Sequence, residues 1–154
     1  MQSKNKELWD KVWKNKKYTT DYQLRFYKYL KDLKENSLNN ESKVLEVGCG
    51  SGGGLDVFKG LELYGIDISN ESLKACKEKG INTINCDARD IKFEDNIFDF
   101  TFSSGLVEHF NPQDRKQIIN EMIRVTKPHG QILVIIPNKF CLWYRVYKTL
   151  FTWL

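Results

Sequence analysis

The stretch Val44-Leu-Glu-Val-Gly-Cys-Gly-Ser-Gly-Gly-Gly54, followed by Leu63-Tyr-Gly-Ile-Asp-Ile68, reads as a strand, a glycine turn and a second strand ending in a carboxylate. Glycines at 48, 50 and 52 allow a tight bend and let a ligand approach where a Cβ would collide, and the helix expected next offers unpaired N–H groups. Asp67 at the second strand end can accept both hydroxyls of a ribose. This is the outline of a nucleotide-cofactor site.

Glycine spacing alone does not name the cofactor, because Gly48, Gly50 and Gly53 also fit the G-x-G-x-x-G pattern of dinucleotide-binding domains. Glu46 separates the two readings. It lies in a strand buried on both faces, where a carboxylate is costly unless it binds something. A pyrophosphate would repel it. S-adenosylmethionine, with a sulfonium, an ammonium and no phosphate, fits the acidic turn better than NAD.

Outward from this core, strands are expected near 43–47, 62–66, 82–85, 98–103 and 131–136, alternating with helices near 53–59, 71–79 and 113–126. Ser69 and Asn70 open the second of these helices, Gly80 stops it, and Pro112 with Asp114 opens the third. Pro128 and Gly130 then turn the chain into the fifth strand. Such alternation predicts an α/β, doubly wound, Rossmann-like and mostly parallel sheet of order 3-2-1-4-5, with ligand at the strand carboxyl ends. Two N-terminal helices precede it: Leu8, Trp9, Val12 and Trp13 share one helical face, and Tyr22, Phe26, Tyr29, Leu30 and Leu33 another. The expected units are a helical arm over 1–38, a cofactor domain over 39–138 and an amphipathic helix over 139–154.

The ordered set of Glu46 to Gly52, Asp67, Asp87-Ala88, Phe98-Asp99, Ser104-Gly-Leu-Val-Glu-His109 and Lys127-Pro-His-Gly130 resembles the class I S-adenosylmethionine-dependent methyltransferases, in particular their small-molecule branch. The resemblance covers about residues 40 to 138 and implies methyl transfer to a small-molecule or lipid-like acceptor, with S-adenosylhomocysteine as product. It implies that Glu46 helps hold the cofactor ammonium, and that Gly48, Cys49, Gly50 and Gly52 border the methionine half. Asp67 would take the ribose hydroxyls and Ile68 would pack on adenine. Asp87 would accept the adenine amino group while the Ala88 N–H meets a ring nitrogen. Ser104, Gly105 and Leu106 would line the cofactor from the opposite side, largely through backbone atoms.

His109 is the candidate catalytic residue, because imidazole titrates near neutrality and can take a proton from a hydroxyl or amine nucleophile. Phe98 reads as core, and Asp99 as a cap or pair at the strand start. The family's rRNA and DNA amino-methylating branches carry an Asn/Asp-Pro-Pro-Tyr motif where this chain has Ser103-Ser-Gly-Leu, so no nucleic-acid partner is expected. Two alternatives stay open: a cofactor-binding module without turnover, and an NAD-dependent oxidoreductase on the other glycine register.

Composition narrows the class. Hydrophobic and charged fractions of 41% and 29% are ordinary for a soluble domain, and no run approaches the ~18 apolar residues of a membrane span. A cytoplasmic location is expected. Cysteines at 49, 76, 86 and 141 show no C-x-x-C spacing and no pairing with His109 or His129 that suggests zinc, so reduced thiols and no metal are expected. The net charge of +4 comes from residues 1–35, with ten Lys/Arg against five Asp/Glu, since residues 36–154 hold fourteen against fifteen; the excess reads as a solvated helix face.

The family's sheet normally has seven strands, so the resemblance implies that the C-terminal part of the domain is lacking. A fifth strand with a free edge, followed by an apolar helix from Phe140, predicts self-association through both.

Overall fold

The computed structural model describes residues 6, 7, 10 and 21–136. Helix α1 spans Asp21–Ser37, and strand β1 covers Lys43–Val47. After a 3-10 turn at Leu55–Phe58 come β2 (Glu62–Asp67), α2 (Asn70–Glu78), β3 (Asn82–Asn85) and β4 (Phe98–Ser104). A second 3-10 turn, Val107–His109, leads to α3 (Pro112–Val125) and β5 (Thr126–Ile135). Every pairing is parallel and the strand order is β3-β2-β1-β4-β5, as the sequence predicts.

β1 is apolar because both its faces are covered. Val44 joins Leu30, Leu55, Phe58, Leu73, Phe100 and Phe102 on the side of α1 and α2. Leu45 and Val47 join Ile66, Phe98, Ile118 and Met122 on the side of α3. Glu46 alternates onto the α1 face and meets Gly65 and Phe102 in the neighbouring strands.

Ser69, Gly80 and Pro112 bound their helices as the sequence predicts, and Asn111 supplies the cap before Pro112. The Ser72 N–H donates to Ser69 Oγ at 3.3 Å, Gly80 closes α2 at φ 77°, and the Asp114 N–H donates to Asn111 Oδ1 at 2.9 Å. Phe98 is fully buried, and Asp99 accepts from the Lys43 N–H at 2.9 Å and from Lys127 Nζ at 2.8 Å.

Three expectations need correction. The helix expected near 53–59 is only the 3-10 turn Leu55–Phe58, because glycines at 52 to 54 resist helix nucleation and Gly60, at φ 95°, sends the chain into β2. β5 begins at Thr126 rather than near 131: Phe98 pairs Thr126 and Phe100 pairs Gln131, so Lys127 to Gly130 bulge out. The bulge tolerates Pro128, which has no N–H to give. Tyr29 is 53% exposed, since α1 buries Leu30, packs the half-buried Phe26 and Leu33 beside it and turns position 29 outward. Leu8, Trp9, Val12, Trp13 and the helix expected over 139–154 lie outside the described residues, as does the side chain of Tyr22.

Candidate cofactor site

The chain leaves β1 through three left-handed residues, Gly48, Gly50 and Gly52, at φ 73°, 52° and 72°, which only glycine adopts cheaply. The Gly48 and Cys49 N–H groups both donate to Ile66 O, at 2.9 and 3.0 Å, pinning the turn to β2. A Cβ on Gly48 would lie 2.9 Å from Leu106 Cδ2, so the turn after β1 packs directly on the loop after β4. In that loop Gly105 has φ 73° and donates its N–H to Ile135 O at 3.0 Å, and Ser104 is half-buried. Leu106 thus contributes a side chain as well as backbone.

Glu46 is 5% exposed. Its carboxyl takes the Leu55 N–H, while Oε2 has no hydrogen-bond partner among the described residues. Burial, then the nearby Cys76 and Asp67, pushes this carboxyl well above the usual carboxylate range. An unpaired buried acid beside a glycine turn is costly to folding and suited to a cationic ligand.

Asp67, at the end of β2, is half-buried, and both its oxygens are engaged. Oδ2 accepts from the Gly50 N–H at 2.9 Å and Oδ1 from the Ser69 N–H at 2.8 Å. The carboxylate therefore ties the glycine turn to the start of α2. Burial pushes its pKa up, opposed by those bonds. Each oxygen keeps lone-pair capacity for a hydroxyl. The half-buried Ile68 follows, and Asn85 Nδ2 donates to Asp67 O at 3.0 Å, joining the ends of β2 and β3. Ser69 Oγ also bonds the Asp10 carboxylate, which takes the Glu71 N–H at 3.3 Å.

Asp87 is clamped by Arg89, whose Nη2 and Nε donate at 2.7 and 3.0 Å. Arg89 Nη1 reaches Asp114 at 3.1 Å and its guanidinium lies 5.7 Å from the Phe110 ring centroid. Ala88 is buried in the α3-side core. His109 is exposed at the end of its 3-10 turn, and its N–H donates to Leu106 O at 3.1 Å. Arg115 braces that turn by donating to Phe110 O at 2.7 Å and Glu108 O at 3.1 Å.

The structure thus brings Glu46, Gly48, Cys49, Gly50, Gly52, Asp67 and Leu106 into one connected group at the strand carboxyl ends. Asp87 and His109 follow β3 and β4 at the same end. Sequence reasoning missed three contributors. Gly54 leaves room for the Glu46 carboxyl, Cys76 backs the turn, and Tyr27 places its hydroxyl 3.1 Å from where a Gly53 Cβ would stand. The Tyr27 phenol is pushed up by burial and then by Glu46. Tyr27 lies beside the buried stripe of α1 rather than on it, so periodicity gave no signal.

A parallel 3-2-1-4-5 sheet with a left-handed glycine turn over a buried glutamate and an aspartate closing the second strand defines the class I S-adenosylmethionine-dependent methyltransferase fold. The methyltransferase domain family matches residues 45–134, and the chain belongs to that family.

Among curated relatives, the tRNA (carboxymethyluridine(34)-5-O)-methyltransferase of Arabidopsis thaliana is 32% identical over 101 residues, covering 65% of this chain and 25% of that protein. The phosphoethanolamine N-methyltransferase of Plasmodium falciparum is 31% identical over 112 residues, covering 68% and 42%. The crystal structure of PH0226 from Pyrococcus horikoshii OT3 superposes with a TM-score of 0.63 at 29% identity, covering 75% of this chain and 58% of that one. The chain therefore spans less than half the length of either curated relative.

Proposed function

We propose that the protein binds S-adenosylmethionine at the carboxyl ends of β1 to β4 and transfers its methyl group to a nucleophilic oxygen or nitrogen. The observation that carries this reading is the buried Oε2 of Glu46, without a partner among the described residues, beside a turn that side chains would block. That arrangement asks for a cation and offers nothing to a pyrophosphate, which disfavours the NAD reading.

Glu46 would hold the ammonium, and the backbone of Gly48, Cys49, Gly50 and Gly52 would border the methionine half. Asp67 would take the ribose hydroxyls with the acceptor capacity its backbone bonds leave free, and Ile68 would pack on the adenine. Asp87, fixed by Arg89, would accept the adenine amino group beside the Ala88 N–H. Ser104, Gly105 and Leu106 would close the opposite wall. The bound cofactor supplies a methyl carbon on a good leaving group, so the protein's work is alignment and exclusion of water. His109 would take the proton of the acceptor hydroxyl or amine.

A small-molecule acceptor is the first reading, supported by the likeness to the phosphoethanolamine enzyme. The Arabidopsis relative acts on tRNA, so the expectation of no nucleic-acid partner loses its ground, and tRNA is the second reading.

Calorimetry with S-adenosylmethionine and with NAD tests the cofactor; binding of NAD alone would overturn the proposal. Methyl-labelled cofactor offered with phosphoethanolamine and, separately, with total tRNA then distinguishes the acceptors. Binding without label transfer to either would favour a module without turnover.

A further inference from the structure

Methyl transfer makes no use of the two thiols beneath the glycine turn. Cys49, in the turn itself, and Cys76, inside α2, lie with their sulfurs 3.8 Å apart, and they are 4% and 0% exposed. Neighbouring backbone fixes both. A Cβ on Gly65 would stand 2.7 Å from Cys49 Sγ, and one on Gly52 would stand 3.0 Å from Cys76 Sγ. Both thiols converge on one carbonyl, Gly50 O, at 3.7 Å from Cys49 and 3.2 Å from Cys76. Gly50 is also the residue whose N–H holds Asp67 Oδ2.

We propose that Cys49 and Cys76 form a site of reversible oxidation, in which a peroxide joins the two sulfurs and the oxidised protein loses affinity for the cofactor. The binding half of this inference rests on the cofactor reading above; the oxidation half does not.

The chemistry balances. The Cys76 thiolate attacks one oxygen of hydrogen peroxide, the O–O bond breaks, and the departing hydroxide takes a proton to become water. Cys49 sulfur then attacks the resulting Cys76 sulfenic acid; its S–O bond breaks, and a second hydroxide leaves with a proton as water. Two thiols are oxidised by two electrons in all, and the peroxide is reduced by two. Within the pair one S–H donates to the other sulfur and so favours a thiolate there, and the Lys79 charge lies on the Cys76 side, which makes Cys76 the attacking group.

Joining the sulfurs must disturb the turn. A disulfide measures about 2.05 Å, so the pair must close by about 1.8 Å. The turn is backbone-bonded to β2, and α2 is tied back through Cys76 O, which accepts the Lys79 and Ile81 N–H groups at 3.1 Å each. A disulfide also carries no S–H, so the buried Gly50 carbonyl is left without a thiol donor. The peptides flanking Gly50 then turn toward new partners and draw its N–H away from Asp67. Both thiols are buried, so oxidation requires the turn to open, and cofactor lying over the turn slows it.

The test treats the full chain with hydrogen peroxide, maps peptides without reduction, and measures S-adenosylmethionine affinity before oxidation, after it, and after dithiothreitol. The expected result is a peptide linking Cys49 to Cys76, formed more slowly when cofactor is present. Affinity should fall at least tenfold and recover on reduction. Cys76→Ser keeps a hydroxyl donor for Gly50 O and cannot form the bond, so its affinity should withstand peroxide. If that variant does not fold, the wild-type map and affinities decide alone. Oxidation confined to Cys86 or Cys141, or a linked peptide with unchanged affinity, overturns the proposal. Reduced protein that binds no S-adenosylmethionine overturns the cofactor reading, and the coupling with it.

Discussion

The Glu46 carboxyl fills the space that a side chain on Gly54 would need: its Oε1 lies 2.6 Å, and its Cδ 3.1 Å, from the Cβ position of residue 54. Phe102 Cε2 closes the other side at 2.9 Å. Gly54 itself has φ −65° and ψ −38°, an ordinary conformation for any residue, so the demand for glycine here is steric. Glu46 is walled in and cannot yield. Gly54→Ala should therefore cost about 1–3 kcal/mol of stability in urea denaturation, the range for overpacking a core. Combined with Glu46→Ala the loss should be smaller than the sum of the two, because the shared volume is vacated. Strict additivity would show that the two residues do not compete for space.

Glu46→Gln should act in opposite directions on folding and on binding. Burial raises the folded-state pKa of this carboxyl well above its unfolded value of about 4.3. The stability that Glu46 contributes is then fully present below about pH 4.3 and lost as pH rises through the folded pKa. Glutamine has the same shape and no titration. The variant should gain on the wild type as pH climbs from about 4, and the difference should level off beyond the folded pKa. With saturating S-adenosylmethionine at pH 7 the variant's advantage should shrink by about 1–3 kcal/mol, the loss in cofactor affinity. Urea midpoints across pH 4 to 9, each with and without cofactor, measure both; parallel pH curves for the two proteins would contradict the assignment.

Asp67 cannot be removed as harmlessly as an exposed strand end. Its two oxygens hold the N–H groups of Gly50 and Ser69, and Asp67→Ala leaves both without an acceptor. The expected result is a stability loss of about 1–3 kcal/mol together with a drop of roughly 2 kcal/mol in cofactor affinity. Denaturation and calorimetry on the same sample separate the two losses. A variant with full stability and weak binding would mean that water replaces the carboxylate at the turn; full stability with full binding would remove Asp67 from the site.

How legible each part was in the sequence depends on whether the physics that shapes it is local. β1 and β3 read correctly to the residue, β1 as an apolar run that ends at Gly48 and β3 as a short Thr-Ile segment between Gly80 and Asp87. The start of β5 was hidden because Pro128 and Gly130 ordinarily break strands, and only the neighbouring β4 makes room for a bulge. Glu46 was legible as an anomaly in a buried strand. The engagement of Asp67 was not, since its partners are backbone N–H groups, one of them 17 residues away. Cys49 and Cys76 stand 27 residues apart and meet only because β1 and β2 run parallel with α2 folded back beside them. Residue types announced the chemistry of the site, while its hydrogen bonds came from topology.

The bulge in β5 makes the last prediction. A Cβ on Gly130 would stand 2.6 Å from Thr126 Cγ2, 2.9 Å from Asp99 O and 3.0 Å from Phe98 O. Two of these atoms are backbone of β4 and cannot rotate away. Thr126 is fixed as well, its hydroxyl donating to Met122 O at 2.6 Å and lying 2.8 Å from the Thr101 hydroxyl in the core. The bulge also sets which residues of β5 face which layer: Leu133 packs toward α1 and Val134 toward α3, and a slip of one residue would exchange them. Gly130→Ala should therefore cost about 1–3 kcal/mol of stability. The bulge lies at the strand end opposite the glycine turn, so S-adenosylmethionine affinity of the folded fraction should stay at the wild-type value. Urea denaturation and calorimetry below the transition check the two halves. Unchanged stability would mean that the bulge relaxes freely and does not set the register of β5, while a parallel loss of affinity would mean that its strain reaches the cofactor site through β4.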